Sequence, residues 1–180
     1  MQDNIWPEFD YIASPHCDDR PDNACIRLLV IHNISLPAGQ FGTPHVTNLF
    51  IGKLDTEAHE TFTDLKGLRV SSHLFIRRDG QVIQYVPFNR RAWHAGVSSF
   101  QGETRCNDFS IGIEMEGTDD KAYTEVQYTK LVHVSQRLMR QFPDITLGSI
   151  VGHNDIAFGR KTDPGVAFDW CKYRAALAER

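Results

Sequence analysis

The stretch RVSSHLFIRRDGQVIQYV, Arg69 to Val86, constrains the architecture of this chain more than any other. Val70, Ser72, Leu74 and Ile76 alternate with their neighbours, Asp79-Gly80 offers a tight turn, and a second β-rich run follows. That pattern predicts a β-hairpin. Two further segments read as strands. CIRLLVIHNI, Cys25 to Ile34, is a β-branched apolar run with polar residues at its end, as expected of a buried strand that delivers His32 and Asn33 to its exposed tip. FSIGIEMEG places Ile111, Ile113 and Met115 on one face and Gly112, Glu114 and Glu116 on the other.

Helical spacing separates these runs. Thr43 and Pro44 make a helix start, with Thr43 at the cap and Pro44 at the first helical position, followed by Val46, Leu49 and Phe50. The stretch to about Leu68 reads as loop with room for a short helix. Thr124 and Gln127 fit a capping box heading a long helix, whose stripe of Leu131, Val134, Leu138 and Phe142 stops at Pro143. ITLGSIV then reads as a short strand, and Trp170, Tyr173 and Leu177 mark a last amphipathic helix. Strands interspersed with helices predict an α/β domain, a mixed central sheet flanked by helices.

With 180 residues the expectation is a single domain, 1–180, with enough chain to bury a core unaided. A composition of 41% hydrophobic and 23% charged residues suits a soluble globular protein, and a net charge of −4 gives no basic field for nucleic acid. The apolar runs are strand-sized, well short of the roughly 20 residues that cross a bilayer, so no membrane association is expected. MQDNIWPEFD offers neither a basic residue nor an apolar run for export, and Cys17, Cys25, Cys106 and Cys171 are scattered without a Cys-x-x-Cys pair. Both features point to reduced thiols and a cytoplasmic location.

Chemistry concentrates in GHNDIAFGRKTDPG, residues 152 to 165. His153 and Asp163 are candidate metal ligands from one loop, and His32, at the tip of its buried strand, is the best third. Two histidines and a carboxylate suffice for a zinc site with one position open. Asp155 is a rival by type, although its place two residues after His153 also suits a turn or cap. Glu114 and Glu116 share a strand face, and periodicity does not choose between them. Arg160 reads as a solvated partner for a nearby acid, and Lys161 stands beside it. Among the remaining histidines, His73 suits cross-strand packing, and His94, in the loop AWHAG, suits ligand contact as well as packing.

Taken together, VIHNIS, RVSSHLFIRRDG, RAWHAG, CNDFSIGIE, IGIEMEG and GHNDIAFGRKTDPG resemble, in order, the zinc-dependent N-acetylmuramoyl-L-alanine amidase family, the type 2 amidases. The similarity runs from about residue 15 to 170 and is strongest to the cytoplasmic 1,6-anhydro-N-acetylmuramoyl-L-alanine amidases of the AmpD type. It implies one Zn²⁺ per chain on His32, His153 and Asp163, an acid/base role for Glu114 and an oxyanion role for Lys161. It further implies that Asn33, Arg69, His94 and Arg105 lie near a small muropeptide substrate. Arginines suit the carboxylates of an acidic stem peptide because they pair bidentately. The implied activity is cleavage of the bond between anhydro-N-acetylmuramic acid and L-alanine, in cell-wall recycling and indirect control of β-lactamase induction. No obligate protein partner is implied. Two alternatives remain: a module of this fold that binds peptidoglycan without cutting it, and an amidase acting on polymeric wall.

Overall fold

The computed structural model describes residues 4–179; Met1–Asp3, which open the stretch read for an export signal, lie outside them. Among the described residues the order is β1 (Asp10–Tyr11), β2 (Cys17–Asp19), β3 (Leu28–Ile34), α1 (His45–Phe50), β4 (Leu74–Ile76), β5 (Val82–Gln84), β6 (Arg90–Ala92), β7 (Ser99–Phe100), β8 (Glu103–Thr104), β9 (Ser110–Glu116), α2 (Glu125–Gln141), β10 (Ile150–Gly152), α3 (His153–Ile156) and α4 (Trp170–Ala178). Six strands form one sheet in the order β1-β5-β4-β9-β3-β10. β4, β9, β3 and β10 run parallel, and β5 is antiparallel to β4. The sheet is mixed, as the sequence pattern predicts.

The hairpin forms around Gly80, whose φ of +86° is open to glycine at little cost, and Arg77 N donates to Gln81 O at 2.9 Å. Its first strand starts four residues later than the alternation from Val70 implies. The intervening residues bond elsewhere: Ser71 N donates to Trp93 O and Ser72 Oγ to Gly112 O. ITLGSIV is likewise only half strand. Thr146 N donates to Ser149 Oγ and closes a 3-10 turn over Leu147–Ser149, leaving Ile150–Gly152 to pair; such local side-chain bonds compete with a ladder. α1 begins at His45, with Pro44 in the cap position, and Thr43 Oγ1 donates to Leu36 O.

α2 has the capping box that Thr124 and Gln127 predict. Its Leu131, Val134 and Leu138 pack with Tyr173 and Leu177 of α4 onto Leu29, Ile31, Leu74, Ile76, Ile111, Ile113, Met115 and Ile150. This is the main core and covers one face of the sheet. The opposite face carries two smaller clusters: Val46, Leu49, Phe50, Phe75 and Tyr85 on one side, and Leu28, Val30, Ala95, Phe109, Val151 and Ile156 on the other. Because side chains alternate across a strand, His32, Gly112 and Glu114 point to this second face, between the two clusters.

Candidate metal centre

Parallel strands bring their carboxyl ends to one edge of a sheet, where ligand sites of open α/β sheets form. Here β3 carries His32 and Asn33 just before its end at Ile34, β9 passes Glu114, and β10 runs into His153. The register pairs His32 with Glu114 directly. His153 opens α3, and the chain returns through Asp163, whose carbonyl accepts from Asn154 N at 3.0 Å. His32 Nδ1 and His153 Nδ1 each lie 3.1 Å from Asp163 Oδ2. His32 is 1% and His153 3% exposed.

The donor chemistry of this triple fits a metal ion. His153 Nε2 lies 3.1 Å from Ala95 O, a carbonyl that only accepts, so the ring's proton sits on Nε2. In the neutral ring the lone pair of Nδ1 then faces the Asp163 carboxylate, and a cation between the two reconciles them. The potential ligand atoms of His32, His153 and Asp163 all lie within 4.8 Å of one another. Burial lowers the His32 pKa to about 4, which keeps the imidazole neutral as ligation requires. Burial alone would raise Asp163, but hydrogen bonds and charge from His153 and His32 hold it well below the usual carboxylate range.

Geometry separates the two glutamates that periodicity leaves equal. Glu116 Oε1 accepts from Gly42 N at 2.6 Å and Oε2 from Arg78 N at 2.9 Å, so its carboxylate stitches two loops. Glu114 is also buried, yet its Oε2 has no hydrogen-bond partner. Burial first and the Asp163 charge second push the Glu114 pKa well above that of a free carboxyl, and Lys161 opposes them. A buried orphan oxygen beside three convergent donors is unusual and singles Glu114 out as a candidate reacting group.

Lys161 is exposed and borders, with Asn33, Ser35, Thr118, Asp119 and Asp163, an open depression of about 680 Å³. Arg160 pairs with no acid among the described residues: its guanidinium donates to Ala95 O and Val97 O, bracing the loop that also receives His153. Asp155 is a cap, with Oδ2 accepting from Gly152 N at 2.7 Å. Asn33 projects to the opposite face from His32, and its Nδ2 donates to Asp119 Oδ1 and Pro164 O. His94 is buried, with Nδ1 2.9 Å from His32 Nε2 and Nε2 3.1 Å from Ser110 Oγ. Arg69 is exposed on a separate depression of about 230 Å³ beside His16 and Leu54. Arg105 is exposed and pairs with Asp108 at 3.3 Å.

The sequence reading missed three supports. Tyr123 Oη donates to Pro164 O at 2.8 Å, next to the candidate ligand Asp163. Ser110 carries His94. Arg20, half-buried, donates to Ser110 O and Asn107 O and lies 3.0 Å from His73 Nε2 beneath the site. None has a local pattern, because each acts across 16 to 90 residues of chain, separations that only the fold closes.

Residues 21–166 match the model of the family described as N-acetylmuramoyl-L-alanine amidase. The chain belongs to this amidase family. The amidase is 55% identical over 168 residues, 93% of its length and 91% of the relative's, to the 1,6-anhydro-N-acetylmuramyl-L-alanine amidase AmpD of Escherichia coli K12. Its fold overlays a crystal structure of a selenomethionine AmpD derivative with a TM-score of 0.95 at 52% identity, covering 98% of both chains. It also resembles the Escherichia coli amidase AmiD, solved in complex with the substrate anhydro-N-acetylmuramic acid-L-Ala-D-γ-Glu-L-Lys, with a TM-score of 0.62 at 27% identity. That match covers 87% of this amidase and 60% of the AmiD chain.

Proposed function

We propose that this amidase hydrolyses the bond between the lactyl group of 1,6-anhydro-N-acetylmuramic acid and L-alanine in soluble anhydromuropeptides, using one Zn²⁺ held by His32, His153 and Asp163. The activity serves peptidoglycan recycling in the cytoplasm and, by removing anhydromuropeptides, keeps inducible β-lactamase expression low. Above all it rests on the orphan Glu114 oxygen next to three converging donors. Relatives that bear the anhydromuramyl amidase name at 51–56% identity across 90% or more of this chain support the substrate class. No helix among the described residues is long and apolar enough to cross a membrane.

Zinc held by this set supplies Lewis acidity toward water and toward the scissile carbonyl. Glu114 does the proton work. Its raised affinity for a proton suits Oε2 to take one from the attacking water and pass it to the departing alanine nitrogen. Water is thereby added across the C–N bond, leaving a lactyl carboxylate and the free amino terminus of the peptide. The Lys161 ammonium, at the mouth of the open depression, stabilises the negative charge that grows on the carbonyl oxygen. Arg69 and Arg105, both exposed, are the proposed partners of stem-peptide carboxylates, and Asn33, which borders the depression, is a further proposed contact, whereas both ring nitrogens of His94 are engaged within the protein.

Zinc analysis with mass spectrometry of products tests this. The expected result is stoichiometric zinc and release of intact peptide from an anhydromuropeptide, with far slower release from purified sacculi. Comparable rates on sacculi would favour the polymer-cleaving alternative, and binding without product would favour the non-catalytic one.

A further inference from the structure

We propose that His94 is a positioning residue for His32: its Nδ1 accepts the His32 Nε2–H and so fixes the tautomer and tilt that aim His32 Nδ1 at the metal. This rests on the zinc reading of the triple. The reasoning starts from His32. If Nδ1 is to offer a lone pair beside Asp163 Oδ2, the ring's proton must sit on Nε2, and the atom facing Nε2, at 2.9 Å, is His94 Nδ1. His94 must therefore accept at Nδ1 and carry its own proton on Nε2. There it meets Ser110 Oγ at 3.1 Å, which can accept it. The two rings stand at 84° to each other with centroids 5.0 Å apart, an edge-on approach that suits a ring-to-ring hydrogen bond. His153 has the same kind of support from Ala95 O, contributed by the residue after His94. One loop thus orients both imidazoles.

The strand beneath is shaped for this ring. A Cβ at Gly112 would lie 2.5 Å from His94 Cγ and 2.6 Å from its Nδ1, so a side chain there would evict His94. Glycine weakens a strand interior, and β9 carries one where the His94 ring packs closely against it. The fixing continues outward, since the Arg20 guanidinium donates at 2.8 Å to the carbonyl of Ser110. Both ring nitrogens of His94 are thereby turned inward, away from the open depression.

Outer partners of this kind are worth about 10- to 100-fold in metal affinity. The test compares His94→Leu with His94→Asn, side chains of nearly one shape of which only asparagine keeps an acceptor at the Nδ1 position. Zinc affinity is measured by chelator competition, with His32→Ala alongside and the metal-free melting temperature of each variant as a check of folding. The expected result is a roughly 10- to 100-fold weaker zinc affinity in His94→Leu and near-native affinity in His94→Asn. Native affinity in His94→Leu, or an equal loss in both variants, would overturn the positioning role while His32→Ala still loses zinc. Should His32→Ala keep zinc, the metal reading itself would fall instead. Should His94→Leu not fold, long-range ¹H–¹⁵N spectra of the zinc-loaded native chain decide. Protons on Nε2 of both His32 and His94 uphold the role, and one on His94 Nδ1 overturns it.

Discussion

Glu114 and Glu116 stand on one face of β9, two residues apart, and the protein uses them in opposite ways. Both Glu116 oxygens are taken up by backbone N–H groups of Gly42 and Arg78, whereas Glu114 leaves Oε2 free beside the histidines. Glu114→Ala should therefore keep zinc and lose about 10²-fold or more in turnover, the usual scale for a general acid/base. Glu116→Ala should keep most turnover but lose stability, on the order of 1–3 kcal/mol for stranded buried partners. Steady-state kinetics and thermal melts of the two variants separate these outcomes, and a reversed pattern would exchange the two roles. Lys161→Ala should reduce kcat more than it raises KM, because its proposed partner charge develops only in the transition state. A change confined to KM would make Lys161 a ground-state contact.

Elements decide how precisely such residues are held, and at this scale legibility from sequence divides along physical lines. The capping box of α2, the Asp79-Gly80 turn and the alternation of β9 are local, so the pattern of a few neighbouring residues states them fully. What local pattern misjudges is where a ladder stops: Ser71, Ser72 and Ser149 spend their groups on partners that sequence does not display. The His32, His153 and Asp163 triple stands out in the sequence as a set of candidate ligands, yet the register of His32 with Glu114 and the inward turn of His94 depend on β3 and β9 lying side by side, 82 residues apart in the case of this pair. The capping box also gives an element-scale prediction. Thr124 Oγ1 accepts from Gln127 N at 3.2 Å and donates to Arg78 O at 2.9 Å, tying α2 to the hairpin's turn. Thr124→Ala should cost about 1 kcal/mol, a fall of about 2–4 °C in Tm for a chain of this size, with kcat unchanged. A fall in kcat at unchanged Tm would show that α2 governs the site more directly than its cap suggests.

At the scale of the whole molecule, the metal-free protein buries opposing titrations in one small volume, and their signs set how stability follows pH. Burial lowers His32 to about 4 and holds His73 and His94 well below the ordinary histidine value. Each is neutral in the fold but protonated in the unfolded chain below pH of about 6.5. The unfolded state then binds more protons, so stability rises with pH across this window and is lost as pH falls from about 6.5 toward 4. Glu114 runs the other way. Its raised pKa means that the fold keeps a proton which the unfolded chain releases above about 4.5, so its contribution is complete below that pH and declines as pH rises through the folded value. Three histidines outweigh one glutamate on the acid side, and Tm of the chelator-treated protein should climb between pH 4 and 6.5. Glu114→Gln removes only the opposing contribution, so the Tm advantage of this variant over the native chain should widen as pH rises above about 4.5. Melting curves from pH 4 to 8.5 in the presence of chelator measure both effects. A constant gap between the two proteins would mean that Glu114 is solvated in the metal-free fold, and a native Tm that falls between pH 4 and 6.5 would mean that the buried imidazoles carry their charge.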